Sequence, residues 1–122
     1  MSMARNRDLV ALEKAFKAIP REVRDKVRPA VQVGADEIVA RAKYLAPEET
    51  GELAASIHTE PGPVDLAVTV VADDEAALFQ EYGTATNSQH RFFWPAVNTL
   101  KNRVRRRIDR AIGKAIREAW SK

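Results

Sequence analysis

LAVTVVA, residues 66–72, is the stretch whose reading decides the fold. Leu66, Val68 and Val70 fall on one face of an extended segment, and Ala67, Thr69 and Val71 on the other. β-Branched side chains suit a pleated surface, which makes this the strongest strand in the chain. PGPVD, residues 61–65, supplies a turn before it. Upstream of the turn, ELAASIHTE (52–60) shows a weak period of two, Ala55, Ile57 and Thr59 alternating with Ser56 and His58. The spacing predicts two antiparallel strands, about 53–60 and 65–72, joined as a hairpin by a loop of several residues.

Helices flank the hairpin on both sides. Leu9, Leu12, Phe16 and Ile19 recur at helical spacing and predict a short amphipathic helix over about residues 8–18. Pro20 opens a second helix, about 21–45, whose apolar face is Val23, Val27, Val31, Ile38, Ala42 and Leu45. Pro29 falls inside it and predicts a kink or break near Arg28, and Pro47 marks the stop. Past the hairpin, DDEAALFQEYGT (73–84) fits two alternatives for a further element at 76–82. Asp73 or Asp74 would cap a short helix, whereas Phe79, Tyr82 and Gly83 suit a strand ending in a turn. ATNSQHR is a polar loop, and WPAVNTLKNRVRRRIDRAIGKAIREAW predicts a long helix over about 95–119. Its stripe runs through Val97, Leu100, Val104, Ile108, Ile112 and Ile116. The layout is α+β: N-terminal helices and a long C-terminal helix packed on a small antiparallel β-sheet. With 122 residues the chain is read as one domain, 1–122, burying roughly two-thirds of its unfolded surface.

Charge is strongly segregated along the chain. Residues 1–43 carry 10 Lys/Arg and 6 Asp/Glu, a net +4. Residues 44–90 carry 9 Asp/Glu and no Lys/Arg, and residues 91–122 carry 10 Lys/Arg and 2 Asp/Glu. An acidic block of −9 therefore precedes a basic block of +8, a pattern that bears on association rather than on fold. There is no cysteine, which excludes disulfides, thiolate metal sites and a cysteine nucleophile. No apolar run approaches the ~18 residues of a membrane span. MSMARNRDLV lacks the apolar region of a signal peptide, so synthesis in the cytoplasm is expected.

No catalytic or metal-binding constellation stands out. His58 lies near Ser56, but the surroundings lack a nucleophile elbow or a glycine-rich oxyanion environment. A solvent-facing strand histidine is the simpler reading, and His90 sits in a loop. Asp73, Asp74 and Glu75 form a hard-ligand cluster without the alternating ligands and central glycine of a calcium loop. A solvated turn or helix start explains them better. Gly34, Gly51, Gly62, Gly83 and Gly113 are isolated, which leaves no phosphate-binding fingerprint. No cofactor and no enzyme activity are expected. The basic helix, with Arg103, Arg105, Arg106, Arg107, Arg110, Lys114 and Arg117, offers an alternative as a nucleic-acid-binding module. However, Phe92, Phe93 and Trp94 precede it instead of interleaving with it, so no base-stacking platform is indicated.

Three short motifs carry a family resemblance. LAPEETGELAASI (45–57), EYGT (81–84) and FFWPAV (92–97), in this order and spacing, resemble the small tail-component family of long-tailed double-stranded DNA phages. The type member is gene product ten of the lambdoid phage HK-ninety-seven. Ala46, Pro47, Thr50, Gly51, Leu53, Ser56 and Ile57 match the first motif, and Glu81, Gly83 and Thr84 the second. Phe93, Pro95 and Ala96 match the third, where Arg91 and Phe92 replace the usual proline-phenylalanine opening. The motif residues also have folding roles of their own. Pro47 ends a helix, Gly51 can adopt a backbone conformation closed to other residues, and Gly83 allows a tight turn after Glu81. Leu53 and Ile57 share strand parity and are expected on the helix-covered face.

The resemblance implies a structural subunit of a phage or prophage neck or tail, active in tail completion or head–tail joining and found in the virion. It implies a homo-oligomeric ring of six copies at the head-proximal end of the tail, formed on contact with other neck and tail proteins if not before. DNA would pass through the lumen without specific binding. The charge blocks supply candidate subunit interfaces, with Arg103, Arg106 and Arg110 facing Asp73, Asp74 and Glu75 of the next copy. Solvated faces that neutralise each other within one subunit are the alternative. Asp73–Glu75 would otherwise line the channel and repel DNA.

Overall fold

The computed structural model describes residues 10–11, 13–15, 17–47, 51–74, 76–83 and 91–121. Leu9, Leu12, Phe16, Thr50, Glu75, Thr84 and His90 lie outside the described residues. Between 10 and 18 the described positions are helical. The elements that follow are α1 (Arg21–Leu45), α2 (Glu52–Ser56), β1 (Ile57–Pro61), β2 (Val68–Ala72), α3 (Ala76–Tyr82) and α4 (Phe93–Trp120). The fold is α+β, with one two-stranded antiparallel sheet and a long C-terminal helix.

Helix α1 begins where the carbonyl of Pro20 accepts the amides of Val23 and Arg24, at 3.0 and 3.1 Å. It then runs through Pro29 as one helix, without the break that was one of the two outcomes expected there. Proline removes one intrahelical donor, but Pro29 is exposed, so water can serve the carbonyl that loses its partner. The buried Val23, Val27, Ala35 and Ala42 on either side hold the helix together through tertiary packing. Their partner is α4, lying antiparallel: Val23 and Val27 cluster with Ala115, and Ala42 with Ala96. Between these contacts Gly34 lets the helices close up, since a Cβ there would stand 2.6 Å from Cγ1 of Val104.

The hairpin pairs Ile57 with Ala72 at one end and Pro61 with Val68 at the other. Its strands are shorter than the sequence pattern suggests, and the first one starts later. Residues 53–56 form a helical turn instead of strand, because Gly51 at φ 76° launches α2 and its carbonyl accepts the Ala55 amide at 3.0 Å. Leu53 and Ile57 are both buried as expected, but Leu53 from α2 and Ile57 from the start of β1, and Ala55 between them is exposed. Leu53 and two alanines among the five residues of α2 favour the helix on propensity. The second strand starts at Val68 and not near 65, because Leu66 sits at φ 69°, outside any ladder conformation. Residues 76–82 are helical. Asp74 supplies the start, its Oδ1 accepting the Ala76 amide at 2.8 Å.

Two core clusters result. Ala42, Ala46, Leu53, Ile57, Phe92 and Ala96 pack where α1, α2 and β1 meet the start of α4. Val23, Val27 and Ala115 pack further along the α1–α4 pair, with Ile19, Ile108 and Ile116 around them.

Candidate functional site

The three sequence motifs meet in the first of these clusters. Ala46, Leu53 and Ile57 come from the first motif, and Phe92 and Ala96 from the third. The second motif closes the arrangement through Glu81, a carboxylate only 8% exposed. Glu81 Oε1 accepts the amides of Phe92 and Phe93 at 3.1 and 2.9 Å, and Oε2 that of Trp94 at 3.1 Å. The first turn of α4 has no other side-chain cap at Phe92, so one carboxylate satisfies donors that the helix itself leaves open. Gly83, at φ 79°, turns the chain directly after it.

The remaining motif residues also take folding roles. The Ser56 hydroxyl donates to the Leu53 carbonyl at 2.7 Å, and Pro95 sits in the first turn of α4. Phe92 is the buried ring of the Phe92–Phe93 pair, whereas the motif match singled out Phe93. Phe93 is half-buried and meets Phe92 edge-on with centroids 6.1 Å apart. The sequence held both rings but no signal for which one turns inward.

Hairpin register brings together a polar group that the sequence reading kept apart. His58 Nε2 lies 2.9 Å from Glu60 Oε1 and 3.6 Å from Asp73 Oδ2. Its Nδ1 donates to the Ser56 carbonyl at 2.7 Å, so the ring meets the backbone of Ser56 and not its hydroxyl. Hydrogen bonding to Glu60 and then to Ser56 raises the imidazole above its ordinary pKa, with Asp73 adding to the effect and partial desolvation opposing it. These three ligand atoms lie within 4.8 Å of one another, a spacing that one cation could bridge. The i, i+2 spacing of His58 and Glu60 on one strand face was the available clue; Asp73 required the register.

The candidate interface residues divide by what they touch. Arg103 Nε lies 3.4 Å from Glu37 Oε2, and Arg107 pairs with the same carboxylate. Lys26 donates to Glu118 at 2.6 Å, a third tie between α1 and α4. On the other side of α1, Arg24 and Arg28 hold Asp65 of the hairpin loop at 2.9 and 2.7 Å. Arg106 and Arg110 are exposed and enter no ion pair among the described residues. Asp73 is exposed and Asp74 half-buried at the start of α3. No described helix is long and apolar enough to cross a membrane.

Comparison with known families matches residues 11–83 to the family described as "Bacteriophage HK97-gp10, putative tail-component". No curated protein and no solved structure matches the chain.

Proposed function

The chain belongs to the HK97-gp10 tail-component family of bacteriophages, and from that premise we propose that it is a non-enzymatic ring subunit. It sits at the head-proximal end of a phage or prophage tail, in tail completion or head–tail joining. The observation that carries this reading is the destination of the motif residues. Those described serve a shared core, a helix cap and turns, which are the needs of a scaffold. Function then falls to the surface, where an acidic block and a basic block offer two faces of opposite sign. Opposite faces suit the head-to-tail contacts of a ring and steer subunits into orientation. The ring has six copies, meets other neck and tail proteins in the virion, and passes DNA through its lumen without binding it specifically.

Light scattering on the eluting protein tests the ring. A mass near six times 13.6 kDa, with rings in negative-stain images, is the expected result. A monomer at every concentration, unchanged by addition of tail-tube and neck proteins, would overturn it. A second reading has one observation in its favour, the exposed Arg106, Arg110 and Lys114 on α4. Nucleic-acid binding through that face would show as a gel shift that survives ~150 mM salt, whereas weak nonspecific binding collapses there.

A further inference from the structure

His58, Glu60 and Asp73 stand on one face of the hairpin, outside the core and the motif cluster. His58 and Glu60 are two apart on β1, and the register that sets His58 opposite Val71 turns the position after Ala72 to the same side. Their side chains are 40%, 52% and 64% exposed, so solvent and ions reach all three. Neighbouring Asp74 is engaged elsewhere, its Oδ1 taking the Ala76 amide. Among the described residues, neither Glu60 nor Asp73 pairs with a lysine or arginine.

A backbone carbonyl only accepts, so the 2.7 Å contact with Ser56 makes Nδ1 the donor and leaves Nε2 to face the carboxylates. Carboxylates accept as well. A bare lone pair on Nε2 would be repelled by them, so this edge of the ring takes a proton or a metal ion. A proton serves only part of the group. Glu60 at 2.9 Å is within hydrogen-bond range of Nε2, but Asp73 at 3.6 Å is beyond it. A metal ion serves all three. Zinc stands about 2.0–2.2 Å from imidazole and carboxylate ligands, which sets neighbouring ligands about 3.0 Å apart at right angles and about 3.4 Å apart at tetrahedral angles. The observed 2.9 and 3.6 Å bracket those spacings. The two carboxylates, within 4.8 Å of each other, need only rotation of exposed side chains. The Ser56 carbonyl on the far ring nitrogen is also the kind of outer partner that orients a metal-bound imidazole.

We propose that His58, Glu60 and Asp73 form a site for a divalent metal ion of the zinc class, with water completing its shell. One imidazole nitrogen and two carboxylate oxygens suit zinc, whereas magnesium and calcium favour oxygen alone. The ion ties the start of β1 to the chain leaving β2, which enters α3 and carries Glu81 to the start of α4. It braces the junction between hairpin and helices. Every ligand comes from one subunit, so the site stands apart from the ring proposed above.

Calorimetry on the tag-free chain titrated with zinc chloride tests the site. One equivalent per chain should bind, and zinc should raise the melting midpoint until a chelator reverses it. Magnesium and calcium at the same concentrations should do neither. His58→Ala and Asp73→Ala should each weaken zinc by about 100-fold or more, beyond the ~10–100-fold that loss of an outer-shell partner costs. Both side chains are exposed, so the metal-free variants should melt with the metal-free parent. Only the zinc-dependent rise should vanish. His90→Gln, at the chain's other histidine, should bind zinc as the parent does. A second readout needs no variant: zinc should shift the Nε2 resonance of His58 in nitrogen-15 spectra while Nδ1 keeps its proton. Zinc heat that is absent, that does not saturate at one equivalent, or that persists in His58→Ala would overturn the site. So would loss of binding in His90→Gln, which would give the zinc to that histidine instead.

Discussion

Glu81 shows how much one side chain can organise. Its two oxygens take three amides of the chain entering α4, at 2.9 to 3.1 Å, in a site almost closed to water. A carboxylate at a helix N-terminus is favoured by both the open donors and the helix dipole. Glu81→Ala would strip the buried Phe92 amide and the part-buried Phe93 and Trp94 amides of this partner, at a cost of about 2–3 kcal/mol, within the range for losing hydrogen bonds to a charged group. Urea unfolding should show this as a lower midpoint at unchanged slope, with Glu81→Gln falling between variant and parent because one acceptor survives. A Glu81→Ala chain as stable as the parent would mean that the carboxylate does not cap the helix. The sequence marked Glu81 as one of a motif and Gly83 as its turn, yet gave no hint of the partner. Phe92 lies 11 residues on, beyond the reach of any local periodicity.

At the scale of elements, what could be read was what repeats. The 3.6-residue stripes of α1 and α4 were visible because each helix buries one face over many turns. The hairpin's strand limits depart from the sequence pattern because local backbone geometry governs them. The αL positions at Gly51 and Leu66 convert four residues to helix and shorten a strand, and only the first falls on a residue that signals it. The α1–α4 contact yields a specific expectation at Gly34. Alanine there gains about 1 kcal/mol in helix propensity, but its Cβ would collide with Val104 at 2.6 Å, and overpacking costs about 1–3 kcal/mol. Gly34→Ala should therefore destabilise on balance. Val104→Ala in the same chain should relieve part of the loss, so thermal melts of the four chains in the cycle should be non-additive.

The hairpin's attachment to α1 should depend on pH in one direction. Burial pushes Asp65 up, but hydrogen bonds from Arg28 and Arg24 outweigh it and hold the carboxyl below its ordinary 3.8. A depressed folded pKa contributes stability that is complete above the unfolded value and lost as pH falls through the folded one. Parent and Asp65→Asn should thus differ in unfolding midpoint at neutral pH and converge as the solution is acidified below 3.8. A gap that stays constant over that range would show that the ionised form of Asp65 adds nothing.

For the whole molecule, charge segregation was plain in the sequence, whereas its division between internal and external duties was not. Glu37 sits outside both extreme blocks, so no count of block charges shows that it holds Arg103 and Arg107 inside the subunit. Arg103, grouped with Arg106 and Arg110 by helical spacing, thus has a partner at home, and only the other two are left to face a neighbour. This division separates two effects that a triple charge reversal would merge. Arg106→Glu with Arg110→Glu should lower association while stability stays within about 0.5 kcal/mol of the parent, as for exposed positions without special contacts. Arg103→Glu should lower stability as well, because it places a second carboxylate beside Glu37. Salt provides an independent check. Screening shortens the reach of exposed charges from about 10 Å at 0.1 M to about 3 Å at 1 M, so sedimentation should show parent assembly weakening across that range. The doubly reversed chain should respond little or in the opposite sense. Parent assembly unaffected by salt, together with normal assembly of the reversed chain, would assign the basic flank of α4 to solvent.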